Sequence, residues 1–385
     1  MRSFQIAAAL TAFGRLVAAA PHAHSPRAVS SIVTGTPFGF ASSVTGGGTA
    51  APVYPTTIAE LKSYLTSADP QNIVISGTFD FVGSEGTEII QACNIYACTP
   101  ANGGQGILNT LSGCGTNTLY DATIDIAGYE GINVASDKTL VGTGTNTVLN
   151  GKGLRFAGVS NIIIQNIEIT NLNPKYVWGG DALVFSDTNQ IWIDHVTTSS
   201  LGRQHYSFGQ SPSNAVTISN SFINGKTSYS ATCDGHTYWG MELVGTGDQI
   251  TFYKNYVYYT SGRSPALSGN TFFHAVNSVW AYNSGHAIEG TSNGGGLFEG
   301  CYFNNVPTIV DSSFVGSLFS SETADLAQCA TYLGRNCVAN AYTSSGTFNY
   351  DDTSFLIDIK GKNIPAAASA SSIETSVPAS AGNTL

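Results

Sequence analysis

The sequence predicts an all-β fold, a right-handed single-stranded parallel β-helix with an N-terminal capping helix and loops that form a cleft. Three observations carry this. Only 10% of the 385 residues are charged, against roughly 25% in ordinary soluble domains. Gly (43), Tyr (18) and Phe (19) are abundant while Met (2) is scarce, which suits turn-rich β structure and argues against a helical bundle. Second, short β-branched runs recur from Lys138 onward. With Leu140, Ile162, Ile191, Val216, Ile250, Phe272 and Leu297 as markers, the steps are 22, 29, 25, 34, 22 and 25 residues. A solenoid of short strands stacks rungs of this size, each rung pairing with the next through its backbone. Third, Asn follows several runs (Asn166, Asn220, Asn255, Asn304), where a tight turn exploits its tolerance of the left-handed region. The longer steps are loops that leave the solenoid and build a cleft on one side. A β-sandwich with irregular strand spacing is the alternative architecture.

Taken in order, residues 1–20 read as a secretion signal: Arg2, an apolar stretch from Ile6 to Leu10, and small residues Ala18, Ala19 and Ala20 at the cleavage end. Residues 21–30 form a short leader, residues 31–364 the solenoid and residues 365–385 an Ala/Ser-rich tail, either a strap or a disordered end. Residues 57–67 predict a helix with Thr56 or Thr57 as N-cap, placed to close one end of the solenoid. Residues 85–130 read as a disulfide-held excursion.

Seven cysteines in a secreted chain imply up to three disulfides and one leftover thiol; no CxxC or zinc-like histidine spacing occurs, so metal is disfavoured. The net charge of −10 argues against a nucleic-acid partner. No stretch approaches the length of a membrane span. The reading is of a secreted, extracellular monomer.

The chemistry is signalled by two arginines. Between Asp194 and Asp234 the sequence has no Asp or Glu, yet it has Arg203 and Lys226; from Asn255 to Ile288 the one full charge is Arg263. A guanidinium among Tyr, Ser, Gly and Asn is placed to stabilise an anionic intermediate rather than to form a structural ion pair. Around these residues lie NPKYVWGGDA at 173–182, WIDHVTT at 192–198, GRQHY at 202–206, YSATCDG at 229–235 and TSGRSP at 260–265.

These motifs resemble those of the secreted fungal pectin lyases, over nearly the whole mature sequence. The resemblance implies endo-acting β-elimination of methyl-esterified polygalacturonate with no cofactor. It implies that Arg263 is the base that removes the C5 proton, with Arg203 polarising the ester carbonyl and Asp181 orienting Arg203. A methyl ester carries no charge for calcium to cancel, and the carboxylate gap filled by Arg203 is what a calcium-free site should look like. Trp178, Trp239, Tyr176 and Tyr238 are candidates for a sugar-stacking wall, and His205 for a cleft-lining residue. Trp192 reads as core, and His195 with Asp194 as structural. By the same resemblance the disulfides are Cys93–Cys114, Cys98–Cys233 and Cys329–Cys337, with Cys301 free.

Two departures stand out. Many such proteins have Lys where this sequence has Ala266, and tryptophans where residues 93–130 have none. Two alternatives therefore remain: a calcium-dependent pectate lyase on the same fold, and a non-catalytic carbohydrate-binding solenoid. A polygalacturonase would need paired carboxylates that these motifs do not supply.

Overall fold

The computed structural model describes residues 30–323 and 325–385; the expected secretion signal and residues 21–29 of the leader lie outside them. Among the described residues, three parallel sheets of ten, nine and six strands make a parallel β-helix. One rung shows the winding. Ser160–Gln165 lies in the ten-stranded sheet, Glu168–Leu172 in the nine-stranded one and Leu183–Ser186 in the six-stranded one. The chain then returns as Thr188–Asp194, directly beside Ser160–Gln165.

The apolar runs are the interior of the solenoid. Leu140, Ile164, Ile193, Ile218, Phe252, Ala275 and Phe298 stack in register along the ten-stranded sheet, and all are fully buried. Four sequence markers, Ile162, Ile191, Val216 and Ile250, stack in a second column, and three are displaced from it: Leu140 pairs with Ile164 rather than Ile162, Ile250 pairs with Phe273 rather than Phe272, and Phe273 pairs with Gly296 rather than Leu297. The run of isoleucines hides the phase, because Ile163 is buried too, on the outer face under Ala41, Val44 and Trp192. Trp192 is thus core, and its indole N–H donates to Ser219 Oγ at 2.9 Å.

A single left-handed residue turns the chain between the first two sheets. Asn166, His195, Asn220, Lys254, Asn277 and Gly300 take this role, with φ between 47° and 57°. Asn255 and Asn304 are not the left-handed residues of their turns; Lys254 and Asn305 are. Asn255 instead holds neighbouring rungs together, accepting from Ser221 N–H and donating to the Ile218 carbonyl. His195 pairs with Asp194 at 2.7 Å, and Asp194 also accepts from Ser219 and Asn220, a structural cluster at this corner.

The helix spans Ile58–Thr66, capped by Thr57 in a reciprocal capping box with Glu60, and its Leu61 and Leu65 join the main core. The excursion holds an antiparallel pair, Thr87–Cys93 with Tyr120–Asp125. Disulfides link Cys93 to Cys114, Cys98 to Cys233 and Cys329 to Cys337, and Cys301 is free and buried. The tail is a strap: Ile373 and Val377 pack on Val279 and Tyr302, and Leu385 N–H donates to Asn166 Oδ1 at 3.0 Å. No described helix is long and apolar enough to cross a membrane.

Candidate active site

The main candidates occupy one place in successive rungs, the connection that enters the six-stranded sheet. Asp181 precedes Leu183–Ser186, Arg203 precedes Tyr206–Phe208, Tyr238 and Trp239 precede Met241–Leu243, and Arg263 precedes Ala266–Leu267. These strands are sequential neighbours, and rungs stack roughly 4.8 Å apart. Residues more than eighty positions apart in sequence (Asp181 to Arg263) therefore form a short row. Two glycines permit the crowding. A Cβ at Gly202 would lie 2.6 Å from the Tyr176 carbonyl oxygen, and one at Gly262 would lie 2.4 Å from the Tyr238 ring.

Arg203 is gripped by Asp181. Its Nε and Nη2 donate to the two carboxylate oxygens at 3.0 and 2.7 Å, and Gln204 N–H donates to the same carboxylate at 2.8 Å. The guanidinium carbon lies 4.0 Å from the centre of the Trp178 ring. Burial works against the charge of Arg203, but the Asp181 hydrogen bonds and the charges of Asp181 and Glu242 outweigh it and push its pKa up. Arg203 is thus a fixed cation, as an electrophile requires.

Arg263 sits at φ +40°, a strained region for a non-glycine residue. Its Nη1 donates to Glu242 at 2.8 Å and its Nε to Glu289 at 3.3 Å. The rings of Trp239 and Tyr238 lie 5.1 and 5.9 Å away. Glu289 also accepts from Tyr238 Oη at 2.7 Å and pairs with His286 at 2.6 Å. Burial pushes the Glu289 carboxyl up, yet the His286 and Tyr238 hydrogen bonds and the Arg263 charge hold it below its ordinary value.

The isolation of the arginines in sequence is therefore undone in space. Glu242 approaches both, at 2.8 Å from Arg263 and 3.5 Å from Arg203, from the strand between them. Sequence reasoning missed Glu242 and Glu289 because each lies just outside the stretches counted as free of carboxylate. A signal existed: in Met241-Glu242-Leu243 the flanking residues point inward and are buried, which leaves the carboxylate on the outer face. Among the described residues, no group of three His, Cys, Asp or Glu is arranged to hold a metal ion.

A groove of ≈ 510 Å³ runs from Arg203, Asp181 and Trp178 over Val184 to Arg155 and Asn133. Trp239, beside Arg263, donates from Nε1 to Gln105 at 2.9 Å. Tyr176 packs, like Trp178, against the apolar cluster of Ala92 and Leu108, and both are half-buried. His205 is a correction. It is 1% exposed, pairs through Nδ1 with Thr198 at 2.7 Å, and is pushed down to about 3 by burial, so it is a neutral residue inside the solenoid and does not line the cleft.

Known proteins give the context. The sequence is 78% identical over 362 residues to probable pectin lyase E of Aspergillus niger, covering 94% of this chain and 98% of that one. It is 51% identical over 377 residues to pectin lyase A of Emericella nidulans, covering 96% and 99%. Among solved structures, a Bacillus sp. N165 pectate lyase in complex with trigalacturonate matches with a TM-score of 0.57 at 19% identity, covering 90% of this chain and 98% of that one. The Acidovorax avenae pectate lyase matches with a TM-score of 0.56 at 15% identity, covering 96% and 98%, and both speak to the fold alone. The row of side chains described above thus sits on a solenoid shared with pectate lyases, and the match to the Pectate lyase description over residues 10–372 places the chain in that family.

Proposed function

We propose that this chain is a secreted, endo-acting pectin lyase that cleaves methyl-esterified galacturonan by β-elimination without calcium. The observation that carries the reading is the pair Arg203 and Arg263, two rungs apart at the same entry to the six-stranded sheet and bridged by Glu242, with Arg203 lining an open groove, together with close relatives named pectin lyases. The open groove suits an internal stretch of polymer, which supports endo action. The disulfides suit an oxidising, extracellular setting.

Elimination removes the C5 proton and places the electron pair in an enolate of the ester; the pair then forms the C4–C5 double bond as the C4–O bond breaks, and the leaving oxygen takes a proton from water. Arg203, held charged by Asp181, stabilises the enolate oxygen. Arg263 is assigned the proton abstraction, which needs a neutral guanidine at that moment. Glu242 and Glu289 would each lose a cation when that neutral form arises, so the step depends on the entering polymer expelling water and separating these pairs. Once Arg263 has taken the proton, both contacts can re-form. Arginine is a strong base when neutral, which offsets the scarcity of that form.

One rate comparison tests the reading. The enzyme is assayed for unsaturated product on high-ester pectin and on polygalacturonate, each with calcium and with EDTA. High-ester pectin should be cleaved equally well in both conditions. A requirement for calcium, or preference for the unesterified polymer, would reverse the assignment to a pectate lyase; no unsaturated product from either would leave a binding solenoid.

A further inference from the structure

The groove floor is the outer face of the six-stranded sheet, and its lateral pairs place Val184, Ser207, Glu242 and Ala266 in one column. Two guanidiniums flank that column, and between two guanidiniums lies a natural position for an anion. In this protein the position is already filled. Glu242 Oε1 is 2.8 Å from Arg263 Nη1 and Oε2 is 3.5 Å from Arg203 Nη1, and the Glu242 side chain is 22% exposed.

We propose that Glu242 is an internal competitor for this anion position and thereby determines specificity, admitting an esterified uronate at the point of cleavage and turning away a free one. The inference rests on the pectin-lyase reading and names the residue that enforces its ester preference. A free uronate carboxylate would have to displace Glu242 from both arginines and would then face Glu242, Glu289 and Asp181 at close range. Like charges brought together in a partly desolvated groove oppose binding. An ester group carries no charge, and its carbonyl needs one donor, which Arg203 provides without loss of the Asp181 pair. The next residue of the column adds to the effect. Ala266 is the lateral partner of Glu242 and contributes a methyl group where a basic side chain would offset the carboxylate.

Two variants test this independently, Glu242→Gln and Ala266→Lys. Gln keeps the shape of the side chain and removes its charge; Lys at position 266 sets an ammonium beside Glu242. Both are compared with the wild-type protein, in EDTA, by calorimetric binding of oligogalacturonate and by its inhibition of turnover on high-ester pectin. In each variant oligogalacturonate should bind and inhibit more tightly, by about tenfold, and the ratio of rates on low-ester to high-ester pectin should rise. Raised salt should narrow the difference between wild type and variants. Unchanged oligogalacturonate affinity in folded variants, or an equal loss of rate on both pectins, would overturn the proposal. The binding measurement needs no turnover, so a wild-type protein that fails to cleave high-ester pectin would refute the function reading while the affinity shift still judges Glu242.

Discussion

At the scale of the residue, the site depends on side chains whose partners fix their charge and direction. Arg203 is pointed by a two-pronged hydrogen bond to Asp181. Asp181→Asn keeps the shape but removes the charge and one acceptor, so Arg203 should lose its fixed direction and turnover should fall about a hundredfold, with little change in unfolding midpoint. Arg263→Ala removes the assigned base, and turnover should fall by about three orders of magnitude while pectin binding persists. Retention of wild-type turnover in that variant would remove Arg263 from the mechanism. His205 carries the opposite lesson. Burial beside Thr198 leaves it neutral, so His205→Ala should register in stability and not in the pH profile of turnover.

At the scale of the element, the C-terminal strap is pinned by a buried charge cluster. Glu299, fully buried, accepts from both terminal nitrogens of Arg335 at 2.8 Å and pairs with His274 at 2.9 Å. Arg335 in turn donates to the Pro365 carbonyl, where the strap begins. Burial pushes the Glu299 carboxyl up, but the Arg335 and His274 hydrogen bonds outweigh it and lower its pKa to about 2. Its stabilising contribution is complete above the ordinary carboxylate value of 4.5 and is lost as pH falls toward 2. Arg335→Ala leaves the carboxylate buried with one partner fewer and should cost about 3 kcal/mol at neutral pH, read from denaturant unfolding. The same variant should lose less stability than wild type on acidification, because its carboxyl is no longer held so low. A variant that tracks wild type across this pH range would show that the cluster does not pin the strap.

At the scale of the molecule, the cleft is a composite of solenoid and excursion, joined by Cys98–Cys233 across 135 residues of sequence. The other two disulfides close loops of 21 and 8 residues. Loop-closure entropy rises with loop length, so replacing Cys98 and Cys233 together by Ser should cost about 3 kcal/mol. Replacing Cys329 and Cys337 should cost less. The first change should also weaken pectin binding, since it frees the wall that carries Gln105 and, through it, the Trp239 indole; the second should leave binding intact. Thermal unfolding and pectin affinity measured on both double variants check the order.

How much of this was legible follows from the range of each interaction. The winding of the chain, the capping helix with Thr56 or Thr57 as its N-cap, and the pairing of Arg203 with Asp181 could be read from sequence, because strand periodicity and helix capping are local and the motif strings are long. Register was less legible, since Ile162, Ile163 and Ile164 are all apolar and the phase is chosen by what covers each face. The carboxylates that meet Arg263, one of which also reaches Arg203, were not legible. Counting charges along the sequence made Arg203 and Arg263 look alone, whereas stacking brings Glu242 between them and Glu289 beside one of them. The burial of His205 was hidden for the same reason, because the turn after Arg203 sends its ring inward. Sequence by itself determined that the chain winds into rungs of short strands joined by tight turns. Only the tertiary structure decided which charges meet, because neighbours across a solenoid are one rung apart in space and tens of residues apart in the chain.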